Sequence, residues 1–257
     1  MTVLSVNVNK IALLRNSRGT NYPDLLYFVR KIIGHGVKGI TVHPRPDERH
    51  ITRQDAHDIA GLLRKYPDVE FNIEGYPSAD FMALIEALRP AQCTLVPDEP
   101  GQLTSDHGWQ IAQSRNLLDE VLPQLRQWGV RSSLFLDPEP AAAELAAGVG
   151  ADRIELYTEH FARTFAAGDG QQTQSVLTRY LATADRAVAG GLGVNAGHDL
   201  NLQNLALFLS GGQVQEVSIG HALIVESLEL GMDEVLRRYQ AICGAPQADA
   251  GDANRGA

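Results

Sequence analysis

The segment Gly39-Ile40-Thr41-Val42-His43-Pro44-Arg45 passes from an apolar run of strand character to a histidine and then an arginine, and Arg49-His50 follows in the same loop. An imidazole exchanges protons near neutral pH. A guanidinium fork matches the oxygens of a phosphate. A proton shuttle beside an anion clamp suits an enzyme that acts on a phosphorylated metabolite. Polar endings recur on other apolar runs: Asn7-Val8-Asn9-Lys10, Asn72-Ile73-Glu74, Glu155 with Tyr157, Asn195-Ala196-Gly197-His198 and Gly220-His221. Glu74 is a candidate acid or base, because a partly buried carboxyl holds its proton more tightly. His198, between Gly197 and Asp199, is a second proton carrier. Arg18-Gly19 adds a guanidinium in an early loop.

These groups meet only if the runs that carry them lie side by side and end together. Strand patterns are predicted at Val3–Val8, Lys38–His43, Val69–Glu74, Gln92–Val96, Ser132–Leu136, Arg153–Tyr157, Gly193–Asn195 and Val214–Ile219. Helical patterns separate them: Pro23–Ile33, Thr52–Tyr66 with Asp55 completing a capping box, Ala79–Leu88 behind Ser78, Leu117–Trp128, Glu139–Val149, His160–Ala167, Gln172–Ala189 and Leu202–Leu209. Ala222–Leu230 and Met232–Cys243 close the series. Strand–helix alternation without a compositional break predicts a single α/β domain, a (β/α)8 or TIM barrel with extra helices over 1–243. The small polar tail 244–257 is expected to be disordered. In such a barrel the strand ends form one mouth. The glycine turns after the seventh and eighth strands suit a phosphate, with loop amides and a helix N-terminus as donors. With Arg45, Arg49 and His50 opposite, two phosphates have places.

Composition removes other classes. A net charge of −9 over 257 residues argues against nucleic-acid binding. No run approaches 18 apolar residues, so no membrane span is expected. The N-terminal Met1-Thr2-Val3-Leu4-Ser5-Val6 reads as a strand rather than a secretion signal, and Cys93 and Cys243 as buried free thiols, which together suit the cytoplasm. Neither a Gly-x-Gly-x-x-Gly after the first strand nor a Walker lysine motif is present. His43, Glu74 and His198 have a competing use as a facial metal triad. Without His-x-His or His-Glu-x-x-His spacing, and with arginine nearby, no metal is expected.

In order, Val6-Asn7-Val8-Asn9-Lys10, Gly39 to Arg45, Arg49-His50-Ile51-Thr52, Asn72-Ile73-Glu74, Val194 to His198 and Ile219-Gly220-His221-Ala222 resemble the pyridoxine 5′-phosphate synthase family of deoxyxylulose-dependent vitamin B6 synthesis. The resemblance runs from about Val3 to Cys243. It implies a homo-octamer built from dimers, no metal or organic cofactor, and two phosphorylated small-molecule substrates, 3-amino-2-oxopropyl phosphate and 1-deoxy-D-xylulose 5-phosphate. It further implies that His43 and Glu74 accept protons and His198 donates one. Asn7, Arg18, Asp199 and the Gly220-His221 pair match contacts to the amino-ketone phosphate. Arg45, His50 and Thr104 match contacts to the deoxyxylulose phosphate. Three places depart from the family pattern. Asn9-Lys10 stand where Asp-His is common, and both are kept as substrate contacts. Asp199 stands where glycine is common, and Tyr157-Thr158-Glu159 where His-Thr-Gly is frequent. The alternatives are a barrel aldolase or isomerase acting on one sugar phosphate, with Lys10 as a Schiff-base candidate, and a non-catalytic phosphometabolite-binding protein.

Overall fold

The computed structural model describes residues 1–98, 102 and 104–244. Eight parallel strands close in sequence order: β1 (Val3–Asn7), β2 (Gly39–Val42), β3 (Glu70–Gly75), β4 (Gln92–Leu95), β5 (Arg131–Leu136), β6 (Arg153–Tyr157), β7 (Gly193–Gly197) and β8 (Glu216–Ile219), with β8 pairing back to β1. Around them lie α1 (Asn9–Asn16), α2 (Leu25–Gly34), α3 (Arg53–Leu63), α4 (Ala79–Leu88), α5 (Ile111–Gln127), α6 (Pro140–Gly148), α7 (Glu159–Ala166), α8 (Gly170–Ala189), α9 (Leu205–Leu209), α10 (His221–Leu230) and α11 (Met232–Gly244). The expected (β/α)8 barrel with extra helices is the observed fold. The expected tail begins one residue later than read, since Gly244 still belongs to α11, and 245–257 lie outside the described residues.

The strands alternate strictly. One set, including Leu4, Val6, Ile40, Val42, Ile73, Leu95, Leu134, Ile154, Val194 and Val217, is buried in one cluster with the helices. Each such side chain contributes roughly 1.5–3 kcal/mol on leaving water. The other set meets inside the barrel and is polar except at Phe135 of β5. Ser5 bonds Thr41 at 2.7 Å, Thr94 donates to Asn72 at 3.1 Å, Asn195 donates to Gln92 at 3.2 Å, and Arg153 donates to Asn195 at 2.8 Å. A hydrogen-bonded interior fixes the register of its strands, because a one-residue slip would bring the apolar set inside.

Helix starts follow their caps. Thr52 and Asp55 form the expected capping box of α3, and Ser78 accepts from Phe81 N–H to open α4. The structure corrects the sequence reading at α1. Asn9 and Lys10 do not prolong a strand end; they form the first turn of a helix that starts two residues after β1. The seventh strand runs on to Gly197, and α5 begins at Ile111 rather than Leu117. Both cysteines are buried free thiols, as expected. Among the described residues no helix is long and apolar enough to cross a membrane.

Candidate active site

The C-terminal strand ends enclose a cavity of about 530 Å³. Every candidate residue except Arg18 lines it: Asn7, Asn9, Lys10, His43, Arg45, His50, Glu74, Thr104, His198, Asp199, Gly220 and His221. Arg18 is exposed in the turn after α1, outside this lining. Arg49, Ser105, Phe135, Glu155 and Ser218 are also part of the wall.

On the floor, Glu74 Oε2 lies 3.8 Å from His43 Nδ1, and Asn7 Nδ2 donates to the same oxygen at 3.5 Å. Asn7 Oδ1 accepts from Asn9 N–H at 3.0 Å, and Asn9 Oδ1 accepts from His43 N–H at 2.9 Å. The first turn of α1 is therefore fastened to the end of β2, which holds the His43 backbone in place. Burial pushes the Glu74 carboxyl well above the usual carboxylate range, with the Glu155 and Asp98 charges acting in the same sense. Burial, with Arg45, His50 and Arg49 nearby, holds His43 well below the usual imidazole value. Both groups are thus driven towards their neutral forms, a carboxylic acid and a free-base imidazole side by side. Glu155, buried under the same cavity, is pushed up to about 8 by burial and by Glu216. Thr94 donates to it at 3.3 Å.

One wall carries the arginines. Arg45 Nη2 donates to Asp98 Oδ2 at 2.6 Å and Nη1 to the Gln102 carbonyl at 3.0 Å, so part of its fork is already committed. Ser105 also donates to Asp98, at 2.8 Å. Its remaining N–H groups and its charge are what Arg45 has left for a ligand. His50 Nδ1 accepts from Ile51 N–H at 2.9 Å, which places the proton of the neutral ring on Nε2. Burial and the Arg45 and Lys10 charges bring His50 down to about 4, so near neutral pH it is an uncharged donor. Arg49 pairs with Asp47 at 2.6 Å on the outer edge.

The opposite wall is made by the ends of β7 and β8. Gly197 is the last residue of β7 rather than part of a turn, and its φ is not positive. A Cβ there would lie 2.4 Å from Glu155 Oε1 of β6, so a side chain at 197 would displace that carboxylate. The left-handed turn is made by His198 and Asp199, with φ of 83° and 59°. His198 Nδ1 lies 2.7 Å from Asp199 Oδ2, and its Nε2 lies 3.0 Å from Thr104 Oγ1. Gly220 precedes α10, and Gly220, His221 and Ala222 bring the first turn of that helix to the cavity. A Cβ on Gly220 would lie 3.1 Å from Asn7 Cβ. The start of α10 offers amide donors to an anion.

Two residues that shape the site, Glu155 in its lining and Asp98 behind Arg45, differ in how visible they are in the sequence. Glu155 shares β6 with Tyr157 at a strand end, which was legible. Asp98 lies 53 positions from Arg45, and nothing local announces their contact.

Fold and site together define a (β/α)8 barrel enzyme whose mouth gathers imidazoles and carboxyls beside arginine side chains and the start of a helix. The family described as "Pyridoxal phosphate biosynthesis protein PdxJ" matches residues 4–245, and the chain belongs to it. Two relatives named pyridoxine 5′-phosphate synthase are similar along nearly their whole length. The one from Porphyromonas gingivalis is 48% identical over 241 residues, covering 93% of this chain and 98% of the relative. The one from Albidiferax ferrireducens is 49% identical over 244 residues, covering 93% and 96%. Among solved structures, 3-hexulose-6-phosphate synthase from Salmonella typhimurium superposes with a TM-score of 0.62 at 14% identity, covering 94% of this chain and 98% of that one. That similarity shows the barrel alone.

Proposed function

We propose that this chain is a pyridoxine 5′-phosphate synthase, condensing 3-amino-2-oxopropyl phosphate with 1-deoxy-D-xylulose 5-phosphate to pyridoxine 5′-phosphate, inorganic phosphate and water. The observation that supports the mechanism is the buried His43–Glu74 pair, 3.8 Å apart in a cavity that Arg45 and the Gly220-His221 turn also line. Condensing an amine with a ketone, expelling water and phosphate, and closing a ring all move protons. His43 as free base takes a proton, the buried Glu74 carboxyl, held above the usual carboxylate range, exchanges one, and His198 returns one to a departing oxygen. Arg45, His50 and Thr104 hold the deoxyxylulose phosphate. Asn7 and the Gly220-His221 turn hold the amino-ketone phosphate, with Arg18 joining from its loop. Asn9 and Lys10 shape the floor between them. No metal or organic cofactor takes part. The enzyme works in the cytoplasm as a homo-octamer built from dimers, a state to which the exposed Leu14 of α1 and Leu228 of α10 lend apolar surface.

The test is a product assay. Purified protein with both substrates is expected to form pyridoxine 5′-phosphate and release inorganic phosphate in equal amounts, and with either substrate alone to form neither. Conversion of a single sugar phosphate without ring formation would favour the aldolase or isomerase reading.

A further inference from the structure

An aspartate at residue 199 is costly where it stands. Its φ of 59° lies in the left-handed region that glycine enters freely and other residues enter under strain. The preceding His198, with φ of 83°, shares that turn. We propose that Asp199 is a positioning residue for His198: its carboxylate holds the imidazole with a proton on Nδ1 and turns Nε2 towards Thr104 and the cavity. This rests on the reading of His198 as proton donor.

The geometry leaves little freedom. A carboxylate only accepts, so across the 2.7 Å contact Nδ1 must be the donor. The neutral ring then has its lone pair on Nε2, where the Thr104 hydroxyl at 3.0 Å can donate to it. The ring sits edge-on to Tyr157, with centroids 5.0 Å apart and planes at 84°. Thr158 Oγ1 donates to the carbonyls of both Gly197 and His198, and Asn204 Nδ2 donates to the Asp199 carbonyl at 3.2 Å. Backbone and ring are thus clamped from β6, from the loop before α9 and from Thr104. The contact also keeps the Asp199 carboxylate below the usual carboxylate range, so the group that orients the ring is ionised.

The step this serves is general-acid transfer. As a C–O bond of the substrate breaks, the proton on Nε2 of the imidazolium passes to the departing oxygen. The ring relaxes to the neutral form with its proton on Nδ1, which Asp199 already holds. Asp199 takes no proton; it selects the tautomer and steadies the cation, as carboxylates do beside catalytic histidines. The Asp199 carboxylate is engaged by the ring.

Asp199→Gly and Asp199→Asn test this, since both residues tolerate a left-handed φ and neither removes a catalytic group. Imidazole ¹⁵N NMR, with the His198 signals assigned by comparison with His198→Asn, reads the tautomer in the free protein. The wild type is expected to show Nδ1–H, and Asp199→Gly a shift towards Nε2–H. Steady-state kinetics are expected to show kcat lower by at least about tenfold in both variants, with KM for each substrate within about twofold. Thermal melting is expected to find Asp199→Gly no less stable than the wild type. An unchanged His198 tautomer in Asp199→Gly, or a loss confined to the KM of one substrate, would overturn the proposal. If the wild type makes no pyridoxine 5′-phosphate, the functional reading fails by itself, and the NMR result alone decides the role of Asp199.

Discussion

Replacing Arg45 with alanine separates the two tasks of this side chain. Its guanidinium and the Asp98 carboxylate are 7% and 4% exposed and meet at 2.6 Å. Removing the cation leaves a buried carboxylate whose sole partner among the described side chains is the Ser105 hydroxyl at 2.8 Å. Breaking one half of a buried pair costs about 3–5 kcal/mol. With a urea dependence of about 3 kcal/mol per molar, the unfolding midpoint drops by about 1–1.7 M. Arg45→Met with Asp98→Leu removes both charges, and its midpoint is expected to lie closer to the wild type than that of Arg45→Ala. Ligand binding adds a second loss. A hydrogen bond to a charged group is worth about 1.5–3 kcal/mol, so affinity for 1-deoxy-D-xylulose 5-phosphate falls roughly ten- to hundredfold. Urea titrations of wild type, both single variants and the double variant, beside calorimetric titration of the ligand, measure the two effects. An Arg45→Ala protein within about 1 kcal/mol of the wild type would refute the closed pair.

Glu74→Gln, His43→Asn and His198→Asn are each expected to keep substrate binding and lose about 10²–10⁴ in kcat, and near-normal steady-state rates in all three would end the acid–base assignment. Melting temperature should fall as pH rises from about 6.5 to 8, because Glu155 and Glu216, at about 8 and 7, bind protons in the folded chain that the unfolded carboxyls have already released. Glu155→Gln flattens that slope in a pH series of melts; His50, at about 4, acts in the opposite sense only below about 6.5. Gly197→Ala forces the Glu155 carboxylate from a position 2.4 Å from the new Cβ and is expected to lower kcat by roughly tenfold, read by single-substrate kinetics at saturation of the other. Borohydride added during turnover should leave Lys10 unmodified by mass spectrometry, since a reduced adduct there would signal Schiff-base chemistry.

Much of this was legible in the sequence because local signals were strong. Thr52 with Asp55 and Ser78 announced α3 and α4, and the polar strand ends at Asn7, His43, Glu74 and His198 announced the mouth. Where the local signal was absent, the reading failed. The residue before α1 is Val8 and the residue before α5 is Gln110, neither with a side-chain cap, so both helices begin without an announcement. Gly197 read as a turn glycine, but its constraint comes from a neighbouring strand. The Arg45–Asp98 pair is a long-range product of the closed barrel, invisible until β2 and β4 are placed.

The contact between Gly197 and Glu155 also limits how this barrel can change over evolutionary time. The two positions belong to paired strands, with Tyr157 in register with Gly197, and the carboxylate fills the space that any side chain at 197 would need. A lineage that gains bulk at 197 before residue 155 is shortened or redirected passes through a chain with its buried carboxylate displaced. Substitutions at these two positions are therefore ordered as well as coupled. Departures elsewhere in the mouth, such as Lys10 and Asp199, displace no buried carboxylate, because their side chains line the cavity itself.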